Sequence, residues 1–492
     1  MFDQEHTITR KAAVTIFEVP AVRVEALKVS SGFRTDFHGC PTARADALFE
    51  LADALLCTDG PVKTLVDLAL AREHRRGHGT LYDGLNAGRI EVARLRETLA
   101  GLPPPRHQGR IALAVDVSDW LRPDAATSPE RLFCHVHGRG KNNAQMIPGR
   151  PYSFVVAPEP GRTSRTAILD AVRPGPADDA TAVTADQLRD VVQALIAAGR
   201  WTPGDPDVLI VADAGHDITR PAFVLDGLPV ELLGRLRGDR VFLFPVPPGV
   251  PGTNGRPPEH GAMFNLKDPA GRPAPAHTTT TDTDRYGIAT ATGRDRPHPR
   301  LTHRTRRLDH HGDLPVIEGT IVRLAVDRPP GDGDPKPVWP WWSGTGAAAA
   351  DVDRLRQAFP RRFDIEHTFK MIKGTLGWTR PKLRDPAAAD RWTALVIAVH
   401  TRLRPARPLA IDLRRPWERP VADGMLTPAR VRRGFRNIHP MTAQPAGAPK
   451  PGKPGPGRPP GSENHRPAPH HDVGKTVKRD LSLTARQNPA AG

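Results

Sequence analysis

The chain has 492 residues, 70 Lys and Arg against 54 Asp and Glu, and a net charge of +16. That length supports roughly two to four domains with a substantial core, and the charge suits a polyanionic partner. Cys40, Cys57 and Cys134 are scattered without a CxxC pair, which argues against a disulfide framework or a cysteine zinc site; no apolar run approaches the ~20 residues of a membrane span. A cytoplasmic, nucleoid-associated protein is therefore expected.

Residues 1–104 read as a helical N-terminal region suited to DNA binding. Ala45–Cys57 repeats apolar residues at helical spacing, Pro61 opens a second helix, and Tyr82–Leu99 suggests a third. Arg72, His74, Arg75, Arg76 and His78 form a basic turn between the last two. Such a turn fits a DNA contact, although a solvated loop is the commoner meaning of a charge run.

After Pro103–Pro105 the pattern becomes α/β, over residues 105–244. Ile111–Val115 reads as a buried strand ending on Asp116, followed by strands at Leu132–Val136 and Tyr152–Ala157. Thr184–Ala198 has helical spacing, with Thr184 and Gln187 placed as a capping box. Val208–Ala212 is another buried strand, ending on Asp213, and Val230–Arg237 one more. From 245 to 345 Pro, Gly, Thr and Asp dominate, with strand-like pieces at Val316–Ala325 and Trp339–Ser343, as in a β-rich insertion. Helical signal returns within 346–410, and residues 411–492 form a basic Pro/Gly-rich tail expected to be largely disordered.

The densest chemistry lies in Phe359–Lys373. On a helix, Arg362, Glu366 and Lys373 are four and seven residues apart and form a charged ridge, beside an apolar stripe of Ile365, Phe369, Ile372 and Leu376. A carboxylate that holds a divalent cation, between cations that hold phosphates, suits metal-dependent phosphoryl transfer. Asp116 and Asp213 at strand ends supply two more carboxylates, and three acids from separate elements can hold two Mg²⁺ or Mn²⁺ ions about 3.5–4 Å apart. A strand-end Asp alone is commonly a turn former, so it is the three together that carry the reading.

These residues resemble the DDE-type insertion-sequence transposases, whose core is RNase H-like. The family pattern around its third acid is Tyr, two residues, Arg, three residues, Glu, six residues, Lys. Here it falls on Phe359, Arg362, Glu366 and Lys373, with Phe in place of Tyr and Pro360 inside the pattern. Ala114-Val-Asp116 is similar to the first-acid strand and Ala212-Asp213-Ala-Gly215 to the second, with His216 where the family usually has an aromatic residue. The resemblance covers residues 45–410. It implies an α/β fold whose RNase H-like catalytic core is split by the β-rich insertion. Asp116, Asp213 and Glu366 would be the catalytic, metal-holding acids. Arg362 and Lys373 would contact DNA phosphates, and a homodimer would cut transposon ends and join them to target DNA. Another RNase H-like nuclease, or a DNA-binding protein that has lost its activity, are the rival readings.

Trp341 or Trp342 could stack on a flipped base, with core packing the commoner role of Trp. His135 with His137, and the pairs at 310–311 and 470–471, lack the third ligand that zinc requires. Gly457-Arg458-Pro459, behind Lys450 and Lys453, looks like an AT-hook whose Arg458 would enter a narrow minor groove.

Overall fold

A computed structural model of the chain describes residues 21–137, 144–161, 163–213, 215, 217–247, 258, 260–268, 272–284, 286–301, 315–328, 336–422, 424–450, 461 and 467–474. Five helices come first: α1 (Ala21–His38), α2 (Ala45–Cys57), α3 (Leu65–Ala69), α4 (His78–Ala87) and α5 (Val92–Gly101). A short ladder of β1 (Pro41–Ala43) and β2 (Arg89–Ile90) ties them together. The basic turn between α3 and α4 is neutralised from within. Arg75 pairs with Glu50 at 2.7 Å, Arg76 with Asp46 at 2.9 Å, and His74 is buried. Its Arg side chains therefore fasten α2 to the C-terminal segment, and Arg75 and Arg76 also donate to the Gly447 carbonyl.

Next come β3 (Arg106–His107), β4 (Arg110–Leu121), β5 (Leu132–His137), β6 (Ala144–Pro158), β7 (Thr166–Val172), α6 (Ala180–Ala197), β8 (Val208–Ala212), α7 (Thr219–Val224) and β9 (Val230–Arg235). The expected helix Tyr82–Leu99 is split by β2 into α4 and α5, and three features of this second stretch also differ from the sequence reading. Strand β4 runs on to Leu121, so Asp116 lies inside it, because β6 continues the ladder as far as Leu121↔Gly149. Strand β7 is additional; Asp170 interrupts its apolar run, and Arg96 balances that acid at 3.2 Å. Helix α6 starts four residues early. Asp179, not Thr184, caps it by accepting from the Thr181 and Ala182 amides, while Thr184 and Gln187 sit inside.

Just before the insertion lies β10 (Val241–Leu243); the insertion itself contributes β11 (Met263–Asn265), β12 (His277–Thr283), β13 (Gly287–Asp295), β14 (His298–Pro299), β15 (Thr320–Val326) and β16 (Pro340–Trp342). Strands β10, β11 and β14 make a small separate sheet. The others join the main sheet, whose order among the described residues is β12-β13-β15-β16-β9-β8-β4-β6-β5, with β3 on β4 and β7 on β6. Strand β8 is parallel to both β4 and β9, and β4 is antiparallel to β6. This mixed α/β arrangement is consistent with an RNase H-like core.

Helices α8 (Ala349–Ala358), α9 (Asp364–Gly374), α10 (Pro386–Leu403), α11 (Pro428–Arg433) and α12 (Phe435–Ile438) complete the fold. One core cluster joins α1–α5 to α9 and α10 against one sheet face, through residues such as Phe37, Phe49, Phe154, Phe369, Trp378 and Trp392. A second lies under α6 on the other face, and a third under α8. The segment expected to open a loose tail instead packs into the first cluster with Val431, Phe435 and Ile438 buried. Polar contacts seat it: Arg432 donates to the Leu55 carbonyl, and Arg430 pairs with Asp412 at 2.7 Å. Among the described residues no helix is long and apolar enough to cross a membrane.

Candidate active site

Strands β4 and β8 lie side by side in parallel, with Val115 opposite Ala212. One residue further on, Asp116 and Asp213 stand at corresponding positions, on strands about 4.8 Å apart. Both strands are built from apolar runs because both faces are covered, and each run gives way to its acid at the same end of the sheet. Asp116 lies two residues beyond Ala114 and opposite Phe154, both of which belong to the cluster that α9 covers.

Glu366 comes from α9. The chain leaves α8 through a 3-10 turn, Phe359–Phe363, with Pro360 at its start, and α9 begins only at Asp364. Pro360 therefore needs no hydrogen bond from within α9, and the helix that aims Glu366 is unbroken. Ile365, Phe369, Ile372 and Leu376 are buried as the apolar stripe requires, leaving Glu366 exposed.

The three acids share one electrostatic environment. Burial pushes the Asp116 carboxyl up, Glu366 and Asp213 push it the same way, and the Val117 amide (2.8 Å) and Arg362 oppose them; the result is about 6. Arg362 is 5 % exposed and feels Asp213, Asp116 and Glu366 together. Its Nη2 lies 3.2 Å from Asp213 Oδ1, an oxygen at which no donor points with hydrogen-bond geometry. Arg235 on β9 stands 3.9 Å from the same oxygen. Among the described residues no three His, Cys, Asp or Glu side chains form a preformed metal cluster. The donor chemistry nevertheless fits a hard divalent cation, since Asp116 is within electrostatic reach of both other carboxylates and Asp213 holds a buried oxygen without a hydrogen bond.

A groove of about 670 Å³ opens beside these acids, lined by Val117, Asp119, His135, Glu366, Lys370 and Lys373 among others. The Lys373 ammonium lies 5.7 Å from the Trp378 ring centre and 6.0 Å from that of Phe369, so cation–π contacts hold the charge at the edge of the groove. Burial lowers its pKa, and Asp119 and Glu366 raise it in part.

Of the residues singled out from sequence, Asp116, Asp213, Glu366, Arg362 and Lys373 are thus gathered in one region. Arg362 faces the acids rather than solvent. Trp341 and Trp342 are buried, and Trp342 Nε1 donates to Glu231 at 3.0 Å, so both serve the core. Arg458 and His216 lie outside the described residues. Sequence reasoning missed Asp119, Arg235 and Lys370. Lys370, one helical turn after Glu366, was legible from spacing; Asp119 depends on the extent of β4, which the pattern did not place, and Arg235, inside a strand that was read, on the pairing of β9 beside β8.

A family described as DDE superfamily endonuclease matches residues 36–300, more than half of the chain. The chain belongs to that family. The match takes in Asp116 and Asp213 and ends before Glu366, so Glu366 rests on the geometry of α9 alone. A comparison with curated proteins gives no match.

Proposed function

We propose that this DDE endonuclease is a transposase that cuts the ends of a DNA element and joins the freed 3′-hydroxyl to target DNA. The observation that carries the reading is the placement of Asp116 and Asp213 on adjacent parallel strands, with Glu366 on the helix packed over them. In this reading Asp116, Asp213 and Glu366 hold Mg²⁺ or Mn²⁺, as DDE endonucleases generally do. Bound there, divalent ions supply a deprotonated attacking oxygen and a stabilised leaving oxygen.

The chain's own groups do the rest. Lys373, held above Phe369 and Trp378, neutralises the phosphate that enters the groove, and exposed Lys370 extends that cationic edge. Arg362 holds Asp213 in place and balances the three acids until a cation replaces it. Two ends cut and joined in concert call for two copies, and a homodimer on DNA is part of the proposal.

The test uses duplexes carrying the DNA that flanks the gene, incubated with the full chain and Mg²⁺. The transposase reading expects a cut leaving a 3′-hydroxyl and, with target plasmid present, a joined product. Cutting without joining would favour a plain RNase H-like nuclease. Binding with neither would favour an inactive DNA-binding descendant.

A further inference from the structure

Away from the acids, the insertion gathers Arg272, Arg294 and Arg323 around two aromatic rings. The Arg272 guanidinium lies 5.0 Å and that of Arg323 5.9 Å from the centre of the Trp339 ring. Arg294 lies 5.7 Å from the Phe264 ring, which itself packs edge-on to Trp339 at 6.0 Å. Among the described residues none of the three pairs with a carboxylate. Arg294 is 8 % exposed and donates to the Pro273 carbonyl and the Thr292 hydroxyl; Arg272 donates to the Leu266 carbonyl. The Nε of Arg272 and of Arg323 are buried without a partner.

Three like charges held together without an acid repel one another, and stacking on rings offsets only part of that cost. Burial lowers the pKa of Arg294, and Arg272 and Arg323 lower it further. By contrast, half-buried Arg354 and Arg407 each face a carboxylate, and buried Arg131 and Arg432 spread their donors over several carbonyls. The half-buried Arg323 donates to no described residue, and the outer nitrogens of its planar fork match the oxygens of a phosphodiester.

Strand register puts this cluster at the same end of the sheet as the acids. Ala212, Gly234 and Trp341 lie level across β8, β9 and β16, and two residues past Gly234 the Leu236 amide donates to the Trp339 carbonyl. Trp339 is thus two strands, about 10 Å, across from the end that carries Asp213, but with Ala212 and Trp341 it faces the α6 side of the sheet, opposite to the acids. A duplex lying across this end of the sheet presents its backbone to both faces.

We propose that Arg272, Arg294 and Arg323 form a phosphate-binding site that grips the DNA backbone on the opposite face of the sheet from the cut. This rests on the reading of the chain as a DNA endonuclease. The full-length R272Q/R323Q variant leaves buried Arg294 in place, and its duplex affinity is measured by fluorescence anisotropy across a salt series. Two lost contacts should weaken binding about tenfold at moderate salt and flatten the log–log salt slope by nearly two, since each phosphate contact contributes about 0.9. R272K/R323K, which keeps the charge, should retain most of the slope. Should the double Gln variant fail to melt cooperatively, R323Q alone should lose nearly one unit of slope. A wild-type slope that survives R323Q and the double variant overturns the site alone. A wild type with no affinity for duplex DNA overturns the endonuclease reading as well.

Discussion

Arg362 stands among three carboxylates rather than facing solvent, so it competes with any cation that those carboxylates bind. Removing it should tighten Mn²⁺ binding to the DNA-free protein even as it loosens Asp213. R362Q is expected to bind Mn²⁺ about tenfold more tightly by calorimetry, a change of ~1.4 kcal/mol. Weaker binding would show that Arg362 organises the acids instead of screening them. Asp116 adds a proton to the same equilibrium. With its carboxyl pushed up to about 6, it is protonated in a growing fraction of molecules as pH falls from 7 to 5. Mn²⁺ affinity should fall over that interval, and loading at pH 6 should release protons that a buffer-ionisation series detects.

The individual residues of this site were only partly legible in the sequence. The Arg362–Glu366–Lys373 spacing marked one face of a helix. Nothing in that spacing revealed that Arg362, within the preceding 3-10 turn, would turn towards Asp213. Its partner lies nearly 150 residues away, and only the sheet brings the two together.

At the scale of elements, the break between α8 and α9 decides what Pro360 does. Because Pro360 opens a 3-10 turn ahead of α9, replacing it with Ala should change stability by less than about 1 kcal/mol and leave cleavage unchanged. A marked rise in cleavage in P360A would mean that the proline distorts the helix after all. Helix α10 offers a pH test. His400 is buried, and burial, only partly opposed by Glu159, lowers its pKa to about 4. The unfolded chain therefore binds the proton more readily between about 6.5 and 4, so this contribution is complete above the upper value and is lost as pH falls towards the lower. Its full size is on the order of 3 kcal/mol. Denaturant melts of wild type and H400Q should diverge in slope against pH across that window; parallel curves would mean that His400 titrates normally.

Elements with strong local signals were the legible ones. The apolar runs of β4 and β8 and the stripe of α9 could be read directly, because their burial imposes a pattern on every residue. The true extent of β4, the presence of β7 and the start of α6 depend on ladder partners and on the Asp179 cap. None of these is set by local periodicity.

Across the whole molecule, one buried carboxylate ties the first helices to the last. Asp53 on α2 is fully buried and receives Arg34 at 2.5 Å, Arg402 from α10 at 2.6 Å and His439, which follows α12, at 3.1 Å. Burial alone would push its pKa up; Arg402, His439 and Arg34 outweigh that and hold it well below the usual carboxylate range. Its contribution is therefore complete above the ordinary carboxylate pKa and is lost only as pH falls through the depressed folded value. D53N leaves two buried guanidinium groups short of a counter-charge and should cost about 3–5 kcal/mol, read as a lower denaturant midpoint. A loss below about 1 kcal/mol would show that the network is dispensable. The sequence did not disclose this link. Arg430–His439 looks like solvated basic chain, and its role appears only once Asp53 is seen beneath it.

The central claim is that Asp116, Asp213 and Glu366 form one site for divalent-ion-dependent DNA cutting. The most direct measurement is Mn²⁺-dependent cleavage of a duplex carrying the flanking DNA, comparing wild type with D116N, D213N and E366Q, each shown to be folded and to bind that duplex. The account predicts cutting by the wild type and a loss of at least about a thousandfold in each variant, with DNA affinity kept. Cleavage that persists in any one of the three, at near wild-type rate, would contradict it.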